Sequence, residues 1–125
     1  MLLNLSNHPS KIWSPSQLAA AQEAYDSVVD WAFPPISPQA TTQEVADLAK
    51  SYLKQIMTAY PNLTTVHLMG EMTFTATLVR LLQKKGISVI SSTTERIVLE
   101  EKDGKKTAQF LFCQFRTYPF LKKTT

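Results

Sequence analysis

Apolar positions along the chain fall into two alternating patterns: short continuous runs that suit buried strands, and longer stretches with helical spacing. Leu2-Leu3-Asn4-Leu5 predicts a first strand, which ends in the polar turn Ser6-Asn7-His8-Pro9-Ser10. Ser14-Pro15-Ser16-Gln17 opens a helix, with Ser14 as cap, Pro15 at the first helical position and Gln17 where a return bond forms. That helix runs through alanine-rich sequence to about Tyr25. Ser27 to Phe33, carrying Val28, Val29, Trp31 and Phe33, predicts a second strand. Pro34-Pro35-Ile36-Ser37-Pro38 then excludes a helix or central strand, because each proline removes a backbone donor.

The second helix has the clearest pattern. Thr41-Thr42-Gln43-Glu44 forms a capping box, and Val45, Leu48, Ala49, Tyr52, Leu53, Ile56, Met57 and Tyr60 recur on one stripe, assigned to the core. Pro61-Asn62 ends it, and Thr64 to Met69 predicts a third strand. The apolar run breaks at Gly70 and restarts as a third helix from about Thr73 to Lys85, closed by Gly86. Ile87 to Ser91 predicts a fourth strand, followed by Ser92-Thr93-Thr94-Glu95-Arg96 as a polar loop. Ile97 to Glu101 and Thr107 to Arg116 flank Lys102-Asp103-Gly104-Lys105, an Asp-Gly hairpin signal.

Strands separated by helices imply right-handed crossovers, hence a three-layer α/β domain with a mainly parallel sheet and a C-terminal β-hairpin. No internal repeat or low-complexity linker divides the chain, so residues 1–125 form one domain.

Composition narrows the function. Thirteen basic against ten acidic residues give a net charge of +3, spread along the chain, which argues against duplex nucleic acid and leaves room for a small anion. Cys113 is the one cysteine, set in an aromatic run, and reads as a buried structural thiol. No apolar run reaches membrane-spanning length and no leader pattern opens the chain, so a soluble, cytoplasmic protein with no membrane partner is expected. Dinucleotide GxGxxG, Walker, GxSxG and zinc-site spacings are missing, and neither a metal nor a cofactor is expected.

In such a sheet a ligand sits outside the carboxyl ends of the strands where the winding reverses, between the first strand and the third. Three loops converge there: Ser6-Asn7-His8, Gly70-Glu71-Met72-Thr73, and Ser92-Thr93-Thr94-Glu95-Arg96. Glycine and hydroxyl residues opening a helix suit an anion, and Arg96 after four hydroxyls suits a phosphate contact. Each residue also has a plain structural reading: Gly70 as a close turn, Thr73 or Thr75 as a helix cap, Glu71 as a lysine partner, and His67 as a hydrogen-bonded core histidine.

Asn4-Leu5-Ser6-Asn7-His8, Met69-Gly70-Glu71, Ser92-Thr93-Thr94-Glu95-Arg96, Asp103-Gly104 and Phe115-Arg116-Thr117-Tyr118 together resemble the small CARF-like accessory proteins of type III CRISPR systems, a group that includes ring nucleases. The likeness is closest over residues 65–118. It implies a Rossmann-like homodimer that binds a cyclic oligoadenylate, most often cyclic tetra-adenylate, across a two-fold axis. It also implies metal-independent cleavage, in which a ribose 2′-hydroxyl attacks the adjacent phosphate and so ends the antiviral signal. His8, Asn7 and Arg96 are then the catalytic candidates; Ser6, Gly70, Glu71, Met72, Thr73, Ser92, Thr93 and Thr94 line the ligand. Two other readings stay open: a protein that only binds or sequesters the cyclic nucleotide, and a protein-interaction module with Phe110, Phe112 and Phe115 as a dimer seam.

Overall fold

The computed structural model describes residues 1–120; the last five residues of the expected 1–125 domain lie outside the described part. The order of elements is β1 (Leu2–Ser6), a 3-10 turn (Ser10–Ile12), α1 (Pro15–Tyr25), β2 (Val28–Asp30), α2 (Thr42–Ala59), β3 (Thr65–Met69), α3 (Met72–Lys84), β4 (Ser88–Glu100) and β5 (Lys106–Thr117). They form one five-stranded sheet in the order β2-β1-β3-β4-β5. Pairs β1/β2, β1/β3 and β3/β4 are parallel, and β4/β5 is antiparallel. The α/β architecture with its terminal hairpin is therefore as expected.

Local signals at the helix starts act as anticipated. Ser14 accepts from the Gln17 amide at 3.2 Å, with Pro15 behind it, and Thr41 and Glu44 form both bonds of a capping box. Gly86 sits at φ +78° just past α3, where a side chain would be strained.

The two faces of the sheet are covered unequally. Helices α2 and α3 bury Leu3, Leu5, Val66, Leu68 and Val89 under Ile56, Phe74, Leu78 and Leu82. On the other face α1 and Trp13 cover a smaller cluster, Leu2, Ala21 and Ile90. Alternation along β1 explains the split: Leu3 and Leu5 point to the thick side, Leu2, Asn4 and Ser6 to the thin one.

Three expectations need correction. The second strand is only Val28–Asp30; Trp31 to Phe33 leaves the sheet as extended chain ahead of the prolines. Ser92 to Arg96 is not a loop. It lies inside β4, because β5 pairs with β4 from Ile90↔Thr117 out to Glu100↔Lys106 and keeps the polar residues in a ladder. Cys113 is exposed rather than buried. It is the extra residue of a bulge, since Thr93 pairs with Gln114 and Thr94 with Phe112.

Candidate functional site

The chain leaves β1 toward β2 on one side and returns to β3 on the other, so the carboxyl ends of β1 and β3 part at a switch point. Ser6 and Met69 are paired there, and the Ser92 amide and hydroxyl donate to the Met69 sulfur at 3.2 and 3.1 Å. Ser6, Met69 and Ser92 thus form one row along the edge.

Asn4 organises what lies beneath. Its side-chain NH2 donates to the Asp30 carboxylate and to the His8 carbonyl, both at 2.9 Å, and its Oδ1 accepts from the Ser6 hydroxyl at 2.9 Å and from His67 Nδ1 at 2.8 Å. That assignment makes His67 the Nδ1-protonated tautomer. His67 is 2 % exposed, and its Nε2 has no partner beneath the rings of Trp13 and Phe115. Burial, with the neighbouring His8 charge added, pushes its pKa down from 6.5 to about 4, so the ring is neutral at pH 7.

His8 is held by its backbone. Its carbonyl also accepts from Trp13 Nε1 at 2.9 Å, and its amide donates to Ser6 Oγ at 3.2 Å. The side chains of Asn7 and His8 are exposed at the rim. Asp30 accepts further from the Ser10 amide at 3.0 Å and the Ser10 hydroxyl at 2.8 Å. Burial alone would raise the Asp30 pKa; the bonds from Asn4 and Ser10 and the Lys11 charge outweigh it, and the carboxyl stays below its ordinary range. A cleft of about 390 Å³ opens over this network, lined by Asn4, Ser6, Asn7, Asp30, Trp31 and Phe33. Its size suits a small organic ligand.

The second loop behaves differently from an anion cradle. Glu71 is the cap of α3, and its carboxylate accepts from the amides of Thr73 at 2.8 Å and Phe74 at 2.9 Å and from the Thr73 hydroxyl at 2.6 Å. Those bonds, the Thr73 hydroxyl foremost, lower the Glu71 pKa. The donors at the head of α3 therefore already hold a negative charge, and neither Thr73 nor Thr75 is the cap. Met72 is 82 % exposed beside them. Gly70 is needed for another reason: a Cβ there would fall inside the Phe33 ring, which stacks edge-on against Phe74 at 5.2 Å.

The third cluster divides by strand alternation. Ser92 and Thr94 face the α1 side, whereas the Thr93 hydroxyl points away and donates to the Gln114 carbonyl at 3.2 Å. Arg96 shares the face of Ser92 and Thr94 but lies four residues farther out, about 13 Å at 3.3 Å per residue. Ser6, Asn7, His8, Gly70 and Ser92 are thus gathered at the edge; Arg96 is not.

Sequence reasoning passed over Asn4, Asp30, Trp31 and Phe33. The available signal was a polar residue inside the apolar run Leu2-Leu3-Asn4-Leu5, which a buried strand tolerates only when its side chain is hydrogen-bonded. His67 is the hydrogen-bonded core histidine expected, though through one nitrogen only.

Among the described residues, no three His, Cys, Asp or Glu side chains gather so as to hold a metal ion, and no helix is long and apolar enough to cross a membrane. No curated protein and no solved structure matches the chain. A family model described as the uncharacterized protein MJ1673 family matches residues 1–116, and the chain belongs to that family.

Proposed function

We propose that this protein binds a cyclic oligoadenylate, cyclic tetra-adenylate first among them, at the carboxyl edge of its parallel strands, with two copies sharing one ring. The observation that carries the reading is the cleft at the switch point, where a structural polar network leaves Asn7 and His8 free at the rim. Trp31 and Phe33 offer flat apolar walls to a base, and Asp30 and Asn7 offer acceptors to an exocyclic amine. The likeness of the Asn4–His8 and Ser92–Arg96 segments to CARF-like proteins supports the same ligand class.

Binding without cleavage is favoured over the ring-nuclease reading by two observations. The α3 amides that would steady a phosphate are taken by Glu71, and Arg96 stands well out along β4. Cleavage remains a second reading on the strength of His8, whose clamped backbone presents a free imidazole at the rim.

Calorimetry and chromatography on one sample test both. The protein is incubated with cyclic tetra-adenylate under excess chelator; binding with an intact ring is expected. Linear or 2′,3′-cyclic-phosphate products would establish the nuclease, and loss of turnover in His8→Ala would then assign the imidazole. A flat calorimetric titration removes the ligand class altogether.

A further inference from the structure

The basic side chains look evenly spread in the sequence, but the fold gathers five of them on one surface. Between residues 48 and 94 stand Lys50, Lys54, Arg80, Lys84 and Lys85 and a single acid, Glu71, whose carboxylate is committed to the α3 cap. All five cations are exposed. They sit on α2 and α3 or, for Lys85, just past the end of α3. The two helices pack against each other on the thick side of the sheet. Because β1, β3 and β4 are parallel, the helices run side by side in one direction. The acids that α2 does carry are occupied as well: Glu44 closes the capping box, and the Asp47 carboxylate accepts from the Gln43 side chain at 2.8 Å.

This arrangement works against the helices that carry it. Lys50 with Lys54, and Arg80 with Lys84, are like-charge pairs four residues apart, about 6 Å along the axis, and such pairs weaken a helix. Lys84 and Lys85 offset part of this at the negative end of α3. Lys50, Lys54 and Arg80 lie before the last turn of their helices, where that field has faded. Between the cations the surface is apolar. A groove of about 390 Å³ joins α2 to the end of α3, lined by Lys50, Leu53, Lys54, Met57, Thr58 and Lys85. Leu53 and Met57 are half-buried and rest on the core. A second groove, of about 360 Å³, runs along α3 with Arg80, Leu81 and Lys84 on its walls.

We infer that this face docks an acidic amphipathic helix of a partner protein, its apolar stripe over Leu53, Met57 and Leu81 and its carboxylates against the flanking cations. Charge calls for an anion, and the geometry selects which. Cation pairs one turn apart on both helices match carboxylates spaced four residues apart on a helix laid along them. A phosphodiester chain or a lipid headgroup would leave the apolar floor unused. Four of the five cations are lysines, without the fork that makes arginine the better reader of phosphate. Tyr52 and Phe74, the aromatic residues of the two helices, pack on each other with centroids 5.4 Å apart, so neither ring is offered to a nucleobase.

The inference stands whatever the cleft at the switch point binds. Fluorescence anisotropy on the full chain tests it with a labelled peptide of roughly 20 residues, long enough to hold a helix, with leucines on one stripe and glutamates on both flanks. Binding with Kd on the order of 10 μM or tighter is expected. The same residues shuffled so that the leucines scatter should bind about tenfold more weakly or worse. The double variant Lys54→Glu, Arg80→Glu should weaken binding by about tenfold or more. It should not lower the urea midpoint, because each change removes a like-charge pair. The same reversal at Lys102 and Lys105, in the turn between β4 and β5, should leave binding unaltered. No binding, equal affinity for the shuffled peptide, or full binding by the double variant overturns the inference. So does tighter binding of polyuridylate or of phosphatidylserine vesicles that is lost in the double variant, which would give the face to phosphates.

Discussion

The two faces of the sheet do different work with the same strands. On the side of α2 and α3 the strands present only apolar side chains, Leu3, Leu5, Val66, Leu68 and Val89, packed beneath Phe74, Leu78 and Leu82. On the side of α1 the corresponding positions of β1 and β3 hold Asn4, Ser6 and His67, joined by hydrogen bonds rather than by packing. Polar groups are costly to bury and most are held by a partner, as every polar atom of the Asn4 side chain is here; His67 Nε2 is the exception on this face. Stability thus resides mainly on one face, and the other is free to carry a site.

The largest test of that division truncates the thick face. Phe74→Ala should cost about 3–5 kcal/mol in urea-induced unfolding. An Ile90→Ala loss of equal size on the thin face would remove the asymmetry.

Acid titration probes the thin face next. The His67 pKa is held at about 4 in the fold against 6.5 unfolded, so the neutral ring favours the folded state. Its contribution is complete above pH 6.5 and is lost as pH falls toward 4, because the unfolded chain takes up the proton first. The total is roughly 3 kcal/mol at about 1.36 kcal/mol per unit. Urea midpoints measured from pH 7 to 4 should fall over that window, and His67→Phe should flatten the part above pH 5. Asp30 and Glu71, with lowered pKa values, lose their contributions only lower, in the carboxylate range.

Asn4→Ala should cost about 2–3 kcal/mol, because it strands the His67 Nδ1 proton and removes a donor from Asp30 and from the His8 carbonyl. Asn4→Leu, which restores bulk but no polar atoms, should rescue little. Gly70→Ala sets a methyl against the Phe33 ring and should cost about 1–2 kcal/mol; pairing it with Phe33→Ala should bring the two losses below their sum. The smallest change is Thr41→Ala, about 1 kcal/mol from the capping box of α2, with no effect on either face.

The framework was legible where local chemistry and periodicity agreed. Ser14, Pro15, Thr41 and Glu44 mark helix starts by the groups they offer to free amides, and Gly86 marks a left-handed turn. The loops converging at Ser6 and Met69 followed from the order of elements and one rule about parallel sheets. What misled was partner-dependent. Ser92 to Arg96 looks like a loop by composition and becomes a strand only because β5, some twenty residues later, pairs with it. Glu71 was not recognisable as a cap, since its long side chain must fold back onto Thr73 and Phe74. Asp30 and Phe33 joined the site through a chain path that no period in the sequence encodes.

A ribbon has two sides, and one residue decides which is up. Were Cys113 drawn into the ladder instead of looping out, strict alternation from Phe115 would send Phe110 and Phe112 away from α1 and bring Leu111 round in their place, whereas deleting it would close the bulge and leave both rings where they are. The bulge is thus a parity switch: the same sequence, paired one residue out of step beyond Gln114, exchanges the whole of one surface for the other.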